Sequence, residues 1–409
     1  MSTDFMTYED ILHNWGLLEQ DVVESVFGTR NERTYDHVIK RVSDWIGSRK
    51  AQSATPSQVS ELYASHKDGI KQFLLSKYII PSTPILKFGG TRRKNPNYFS
   101  YYIFSDDSFE QMKELKSKPQ SGIEFGYQFS LSNETEGKVR DALDNMDSSN
   151  VGITVREDGS SLQELTKIKN CHTRKNLVYY HEVDLNKVSN ELRKGKRYGL
   201  TFGQNIKKGS IIPDVLKGYN TTARPGYIGP QDTACPMFYL NLSALLDSSK
   251  DYESYLSRVY KAAFFAAILG NVVLFQEEGY MLEKIAENTM KYRPVGVGFL
   301  GLHSAMLRCD IDYESEDAVY FLKQTQASLC LGSVSASCEI MKKSSKVERV
   351  GCKVENLARM VHRCRMHMEG EEVNFGHMNA ITTALEQHGC MYNLVTSVQG
   401  YDTHLEDTL

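Results

Sequence analysis

The chain has 409 residues, 41% hydrophobic and 24% charged, with 29 Gly and 10 Pro, the composition of a folded globular protein. Disordered, collagen-like and low-complexity classes are excluded, and the length is a prior of roughly two to three domains. With 48 Lys and Arg against 51 Asp and Glu the net charge is −3, so no general basic field draws the chain to nucleic acid or to an anionic membrane.

The N-terminal sequence MSTDFMTYEDILHNWG carries acids and has neither the cationic start nor the apolar stretch of a signal peptide. From Tyr8 to Tyr78 the pattern is helical, with Val38, Val42, Trp45 and Ile46 on one face and a polar break at residues 48–57. Residues 80–90 (IPSTPILKFGG) are turn-rich, and near residue 85 the character changes to mixed α/β. Short strands are expected at 98–104, 151–155 and 198–202, then a long proline-punctuated loop at 206–237 and a strand at 238–242. Helices are expected at about 252–275, 283–292 and 315–342, and this alternation favours a largely parallel sheet. The longest apolar run, Ala262–Phe275, is shorter than the roughly 20 residues that cross a bilayer and reads as a buried helix. Eight cysteines without a CxxC pair point to free thiols in a reducing, cytoplasmic setting.

Gly296-Val-Gly298-Phe-Leu-Gly301 is a literal GxGxxG. A dinucleotide loop needs a strand before it and a helix after it. Here only Pro294 and Val295 separate a helical stretch from the first glycine, so close backbone packing in another fold is expected. Cys352, His362, Cys364 and His367 have the spacing C-x9-H-x-C-x2-H, which is not a usual zinc framework. Cys171-His172 and His181-Glu182 read as ordinary unliganded residues, on the surface or partly buried, and Glu277-Glu278 and Glu371-Glu372 lack the His at i+3 of a di-iron bundle. Neither a metal nor a cofactor is expected.

An ordered set of motifs carries more. Lys291–Ala305 (KYRPVGVGFLGLHSA) resembles the R-x-x-G-I-G-V-x-G-x-A stretch of ribonucleotide reductase large subunits, and Tyr313-Glu-Ser-Glu-Asp-Ala318 and Ser335-Ala-Ser-Cys-Glu-Ile340 resemble the motifs that follow it. Upstream, Pro81-Ser-Thr-Pro-Ile-Leu86, Phe99-Ser-Tyr-Tyr102, Asp107-Ser108 and Ser121-Gly-Ile-Glu-Phe-Gly126 are similar to the family's P-x-T-P-I-M, F-S-S-C, D-S and G-I-G-I/F segments. Cys235–Leu245 resembles C-x-L-x-x-x-N-L-x-x-I, and His388–Thr396 resembles H-G-L-R-N-S-T-L. The matches keep family order over roughly residues 10–400. The resemblance implies a helical N-terminal domain, residues 1–85, and part of a ten-stranded α/β barrel, residues 86–409, with a site for nucleoside phosphates at Ser82, Thr83, Ser100 and the Gly122 loop.

It would also imply thiyl-radical reduction of ribonucleotides, and there the sequence departs. Aligned without gaps to the family's N-P-C-G-E-I finger loop, the chain reads Ala223-Arg-Pro225-Gly-Tyr227-Ile228, with Pro225 at the radical cysteine and Tyr227 at the glutamate. The first reducing cysteine falls on Tyr102, and its partner is kept as Cys235. An alternative with a shortened loop puts Cys235 itself at the radical position, but with Met237 where the glutamate belongs. The sequence after Thr396 does not follow the family pattern, so a shortened barrel covered by a protein partner or by self-association is expected. Two functions stay open: a non-catalytic or partner-dependent nucleotide-binding scaffold, or an active enzyme of nucleotide metabolism.

Overall fold

The computed structural model describes residues 23–29, 31–105, 108, 111, 226–342 and 378–384, together with the backbone of five strands between residues 124 and 221. A single π turn, Val23–Phe27, precedes three helices: α1 (Tyr35–Ile46), α2 (Arg49–Ala54) and α3 (Ser57–Leu75). Helix α1 buries Tyr35, Val38, Ile39, Val42 and Ile46, the stripe of a helix with one face to the core. The stretch at 48–57, expected as a break, instead holds α2, because the Ser48 hydroxyl accepts the N–H of Ala51 and caps a turn of helix.

Strand β1 (Ile79–Pro81) and helix α4 (Thr83–Phe88) occupy the segment expected as turns. Strands β2 (Tyr101–Phe104), β3 (Glu124–Ser130), β4 (Val151–Arg156), β5 (Val178–His181) and β6 (Tyr198–Thr201) form a parallel array in chain order. A hairpin of β7 (Tyr219–Thr221) and β8 (Ile228–Pro230) follows, and β9 (Thr233–Cys235) pairs antiparallel with β2. The segment expected as a loop at 206–237 is therefore partly strand. Elements of three residues are too short to show a period, and their pairing comes from partners distant in sequence.

After Pro236 the same run of chain continues as β10 (Met237–Asn241), one residue earlier at each end than expected. It lies between β1, antiparallel, and β11 (Gly296–Leu300), parallel. Thr383 extends this sheet through a parallel bridge to Val297. Pro236 has no N–H to give, and its carbonyl accepts from Gly296 at 2.9 Å. Among the described residues the sheets form an α/β fold but do not close on themselves.

Of the following helices, α5 (Leu242–Asp247), α6 (Tyr252–Leu274) and α9 (Glu316–Lys342) pack on the small sheet, α7 (Glu283–Tyr292) packs on β9, and α8 (Leu302–Arg308) packs on α5 and α9. Helix α6 starts at a capping box: Asp251 accepts the Ser254 N–H at 2.8 Å, and the Ser254 hydroxyl accepts the Asp251 N–H at 3.1 Å. By length and composition alone α6 is long and apolar enough to cross a membrane, yet 67% of its apolar stretch is buried inside the fold. It reads as a core helix. Ala262, Ala263, Ala266 and Gly270 keep its surface small, and Gly332 of α9 lies so close that a Cβ there would meet the Tyr260 carbonyl. The Gly296 and Gly298 pair serves the same end in β11, where a Cβ at 296 would strike the Met237 sulfur and one at 298 the Ala384 carbonyl. The glycine motif is thus a packing device, as expected, although it lies on a strand.

Candidate functional site

The site is built along one continuous strand run, residues 233–241. Ser100 donates its N–H to the Cys235 carbonyl at 3.0 Å, and Ser82 donates its N–H to the Met237 carbonyl at 3.0 Å. Carbonyls two residues apart in extended chain point to the same edge and lie roughly 7 Å apart. The end of β1 and the start of β2 therefore meet tip to tip on this edge, and two serines separated by eighteen positions in sequence become neighbours. Both are fully buried, and neither hydroxyl has a hydrogen-bond partner in the protein. A buried hydroxyl left unpaired costs about 1–3 kcal/mol, so such a pair is a place where an acceptor is wanted. Thr83, next to Ser82, is 1% exposed at the first position of α4. Gly122 lies outside the described residues, as do Asp107 and Pro225.

Cys235 is fully buried and in no disulfide, its thiol donating to the Pro236 carbonyl at 3.5 Å. Its partner across the ladder is Tyr101, whereas Tyr102, the residue expected at the reducing-cysteine position, pairs with Ala234. The Tyr102 hydroxyl donates to Asn97 Oδ1 at 2.7 Å, and burial holds its pKa far above the ordinary phenol value. Tyr227 stacks on Tyr101 with ring centroids 4.7 Å apart and planes 4° from parallel. Burial, and then the neighbouring Cys235, drive the Tyr227 pKa well above its usual range. Sequence reasoning singled out Cys235, Tyr227 and Tyr102; it missed Tyr101 as the residue opposite the thiol. No sequence signal marks it, because which of two adjacent tyrosines faces a given partner is a matter of register.

Beside β9 sits a second cluster that the sequence did not reveal. Asp232, in the left-handed region at φ 53°, accepts the Ser105 N–H at 3.0 Å and the hydroxyls of Ser105 and Ser108 at 2.7 Å each, and pairs with Lys284 at 2.9 Å. Burial pushes the Asp232 pKa up, but the hydrogen bonds from Ser108, Lys284 and Ser105 outweigh it and hold the carboxylate below its usual range. With its lone pairs taken, Asp232 is a brace between β2, β9 and α7.

The other motifs form no site among the described residues. Cys352, His362, Cys364, His367, Cys171 and His172 lie outside them, and the described residues contain no cluster of three or more metal-ligating side chains. Glu278 is tied to Lys50 and accepts from the Tyr98 hydroxyl at 3.0 Å. A surface groove of about 460 Å³ between α3 and α6, lined by His66, Lys67, Lys261 and Phe264 among others, shares no residue with the serine pair.

The ribonucleotide reductase barrel domain family matches residues 205–399. The vitamin B12-dependent ribonucleotide reductase of Rhodopirellula baltica is 24% identical over 306 residues, 71% of this chain and 28% of that protein. The ribonucleoside-diphosphate reductase large chain 2 of Saccharomyces cerevisiae is 24% identical over 123 residues, 29% of this chain and 14% of that protein. The chain thus spans little more than a quarter, or less, of the length of these curated relatives. In fold it is similar to the Actinobacillus ureae class Id ribonucleotide reductase alpha subunit, with a TM-score of 0.64 and 14% identity over 97% of this chain and 75% of that one. The barrel-domain match, the two reductase relatives and the shared fold, added to the collinear motifs, all make this chain similar to the large subunits of ribonucleotide reductases.

Proposed function

We propose that this chain is a reductase-like scaffold that binds a nucleoside phosphate at Ser82, Thr83 and Ser100 and does not by itself run the family's dithiol chemistry. The observation that carries the reading is the two buried serine hydroxyls, unpartnered in the protein, on residues whose N–H groups bond to carbonyls two positions apart on one strand run. Hydroxyls offered by a rigid sheet edge are natural partners for phosphate oxygens. The second half of the reading rests on Cys235. The residue opposite it is a tyrosine, and the other described cysteines, Cys309, Cys330 and Cys338, sit after α8 and within α9. A phenol cannot close a disulfide with Cys235.

Calorimetric titration of the folded chain with ribonucleoside di- and triphosphates tests the binding. Heat is expected, and Ser82→Ala with Ser100→Ala should lower the affinity by about tenfold or more, since each removes a charge-assisted hydrogen bond. Absence of heat with every nucleotide overturns the reading. Cys235→Ser is expected to leave any product formation unchanged; complete loss would favour the second reading, an active enzyme of deoxyribonucleotide metabolism in which the buried Cys235 beside the serines is the working thiol. A protein partner or self-association belongs to the proposal as well: β6 ends the larger sheet among the described residues, and an open strand edge is the kind of surface another chain covers. Native mass measurement of the purified chain reads this out, a monomer alone speaking against self-association.

A further inference from the structure

The groove between α3 and α6 encloses about 460 Å³, a volume within the range of roughly 300–1,000 Å³ that small-molecule sites span. Its floor is aromatic. Phe265 is buried, whereas His66, Tyr260 and Phe264 are half-buried and give part of their ring surface to the groove. The rings fix one another. His66 meets Phe264 edge-on and Phe265 at a tilt, with centroids 5.5 Å apart in each case, and Tyr260 lies along Phe264 at 6.5 Å with planes 23° apart. Gly69 belongs to the interior of α3, where glycine costs about 0.5–1 kcal/mol relative to alanine. The space it leaves is the reason for it, since a Cβ there would press on the Phe265 ring at 3.0 Å. Cations stand above this floor. Lys261 of α6 holds its ammonium 5.6 Å from the Phe265 centroid and 5.9 Å from that of Phe73, and Lys67 is exposed on the facing helix. Neither lysine is in an ion pair among the described residues. With Asp68 the one acid of the lining, two lysines leave the groove net positive.

We propose that this groove binds a small planar aromatic anion, its ring against His66 and Phe264 and its anionic group drawn to Lys67 and Lys261. A nucleoside monophosphate is one source of that chemistry and an aromatic carboxylate another. Ring on ring adds about 0.5–1.5 kcal/mol beyond the area buried, and the ammonium of Lys261 is held at the edge of an apolar floor that keeps water from one side of it. Each half of the ligand is weak without the other. A bare anion meets two exposed lysines whose pull is screened by salt, and a bare ring leaves both charges unused. The proposal stands apart from the phosphate-binding reading of the serines, with which it shares no residue.

The experiment is calorimetric titration of the full chain with AMP and with 2-naphthoate, and with adenosine and inorganic phosphate as the separate halves. At least one of the two aromatic anions should bind tenfold or more tightly than either half; AMP alone names a nucleotide as the source, and naphthoate an aromatic carboxylate. The double variant Lys67→Glu with Lys261→Glu, at two exposed positions the fold tolerates, should weaken that ligand at least tenfold. Arg92→Glu with Lys94→Glu makes the same change of net charge at exposed positions outside the groove and should leave the affinity as it was. Phe264→Leu keeps an apolar side chain without a stacking face and should cost about threefold or more. Failure of both aromatic anions to bind overturns the proposal, as does equal binding of either half or an equal loss in the two charge variants. An affinity that survives the lysine variant but is lost in Ser82→Ala with Ser100→Ala belongs to the serine pair and overturns the groove. The response to nucleoside di- and triphosphates in the lysine variant judges the serine reading separately.

Discussion

Strands β9 and β10 are one run of chain interrupted only by Pro236, and both are wholly buried, yet their surroundings differ. Around β10 almost everything is packing, the Ser82 hydroxyl at its start excepted: β1 and β11 flank it, the glycines of β11 admit the Met237 side chain and the 378–384 segment, and Phe238, Tyr239 and Leu240 are fully enclosed. Around β9 the neighbours are polar or half-satisfied: Asp232 with its serines and lysine, the Tyr227 phenol, the Cys235 thiol and the Ser100 hydroxyl. Equal depth therefore does not mean equal purpose. One half of the strand is held by apolar packing, and the other is surrounded by polar groups, of which Asp232 is fully bonded and the Ser100 hydroxyl is not.

The sharpest way to test that contrast is to overfill the β10 side. Gly298→Val drives a side chain into the Ala384 carbonyl, which is backbone and cannot swing aside, and should cost about 3 kcal/mol or more in urea denaturation. A smaller but still large loss is expected on the β9 side from Asp232→Asn, which keeps a residue tolerant of positive φ but weakens the bonds to Ser105, Ser108 and Lys284; about 1–3 kcal/mol should go. Its pH signature separates it from simple packing damage. Because the native pKa of Asp232 lies below its ordinary value near 3.8, its contribution is present above that value and is lost as pH falls through the native pKa. Asp232→Asn should flatten the acid limb of the stability curve without abolishing it. Two other carboxylates are also held low: Glu278, chiefly by Lys50, and Glu32, where burial opposes the shift but Arg41 and the Thr29 N–H prevail. The smallest effect is expected at Ser100→Ala, within about 1 kcal/mol and tending to stabilise in the absence of ligand, since it deletes a hydroxyl that has no partner. A loss comparable to that of Gly298→Val would mean the β9 side is as much a packing core as the β10 side.

Much of the long-range plan was readable from residue patterns. Helices at 252–274, 283–292 and 316–342 have the apolar spacing and length of helices, and they stand within a residue or so of where the patterns put them. The context around Gly296, Gly298 and Gly301 was enough to reject a dinucleotide loop. The short elements were not readable. Helix α2 hides in a polar stretch, and β1, β7, β8 and β9, three residues each, exist because partner strands complete their hydrogen bonds.

At the site the division is similar. The order of motifs along the chain carried the resemblance to ribonucleotide reductase large subunits, and the residue types at 82, 100, 227 and 235 are fixed by the sequence as Ser, Ser, Tyr and Cys. Tertiary structure alone decided that the two serines are neighbours, that Tyr101 and not Tyr102 faces the thiol, and that Tyr227 lies on Tyr101. The reason is that successive residues of a strand point to opposite faces, so a one-residue change in register exchanges every facing side chain, and register is set by chain segments far away.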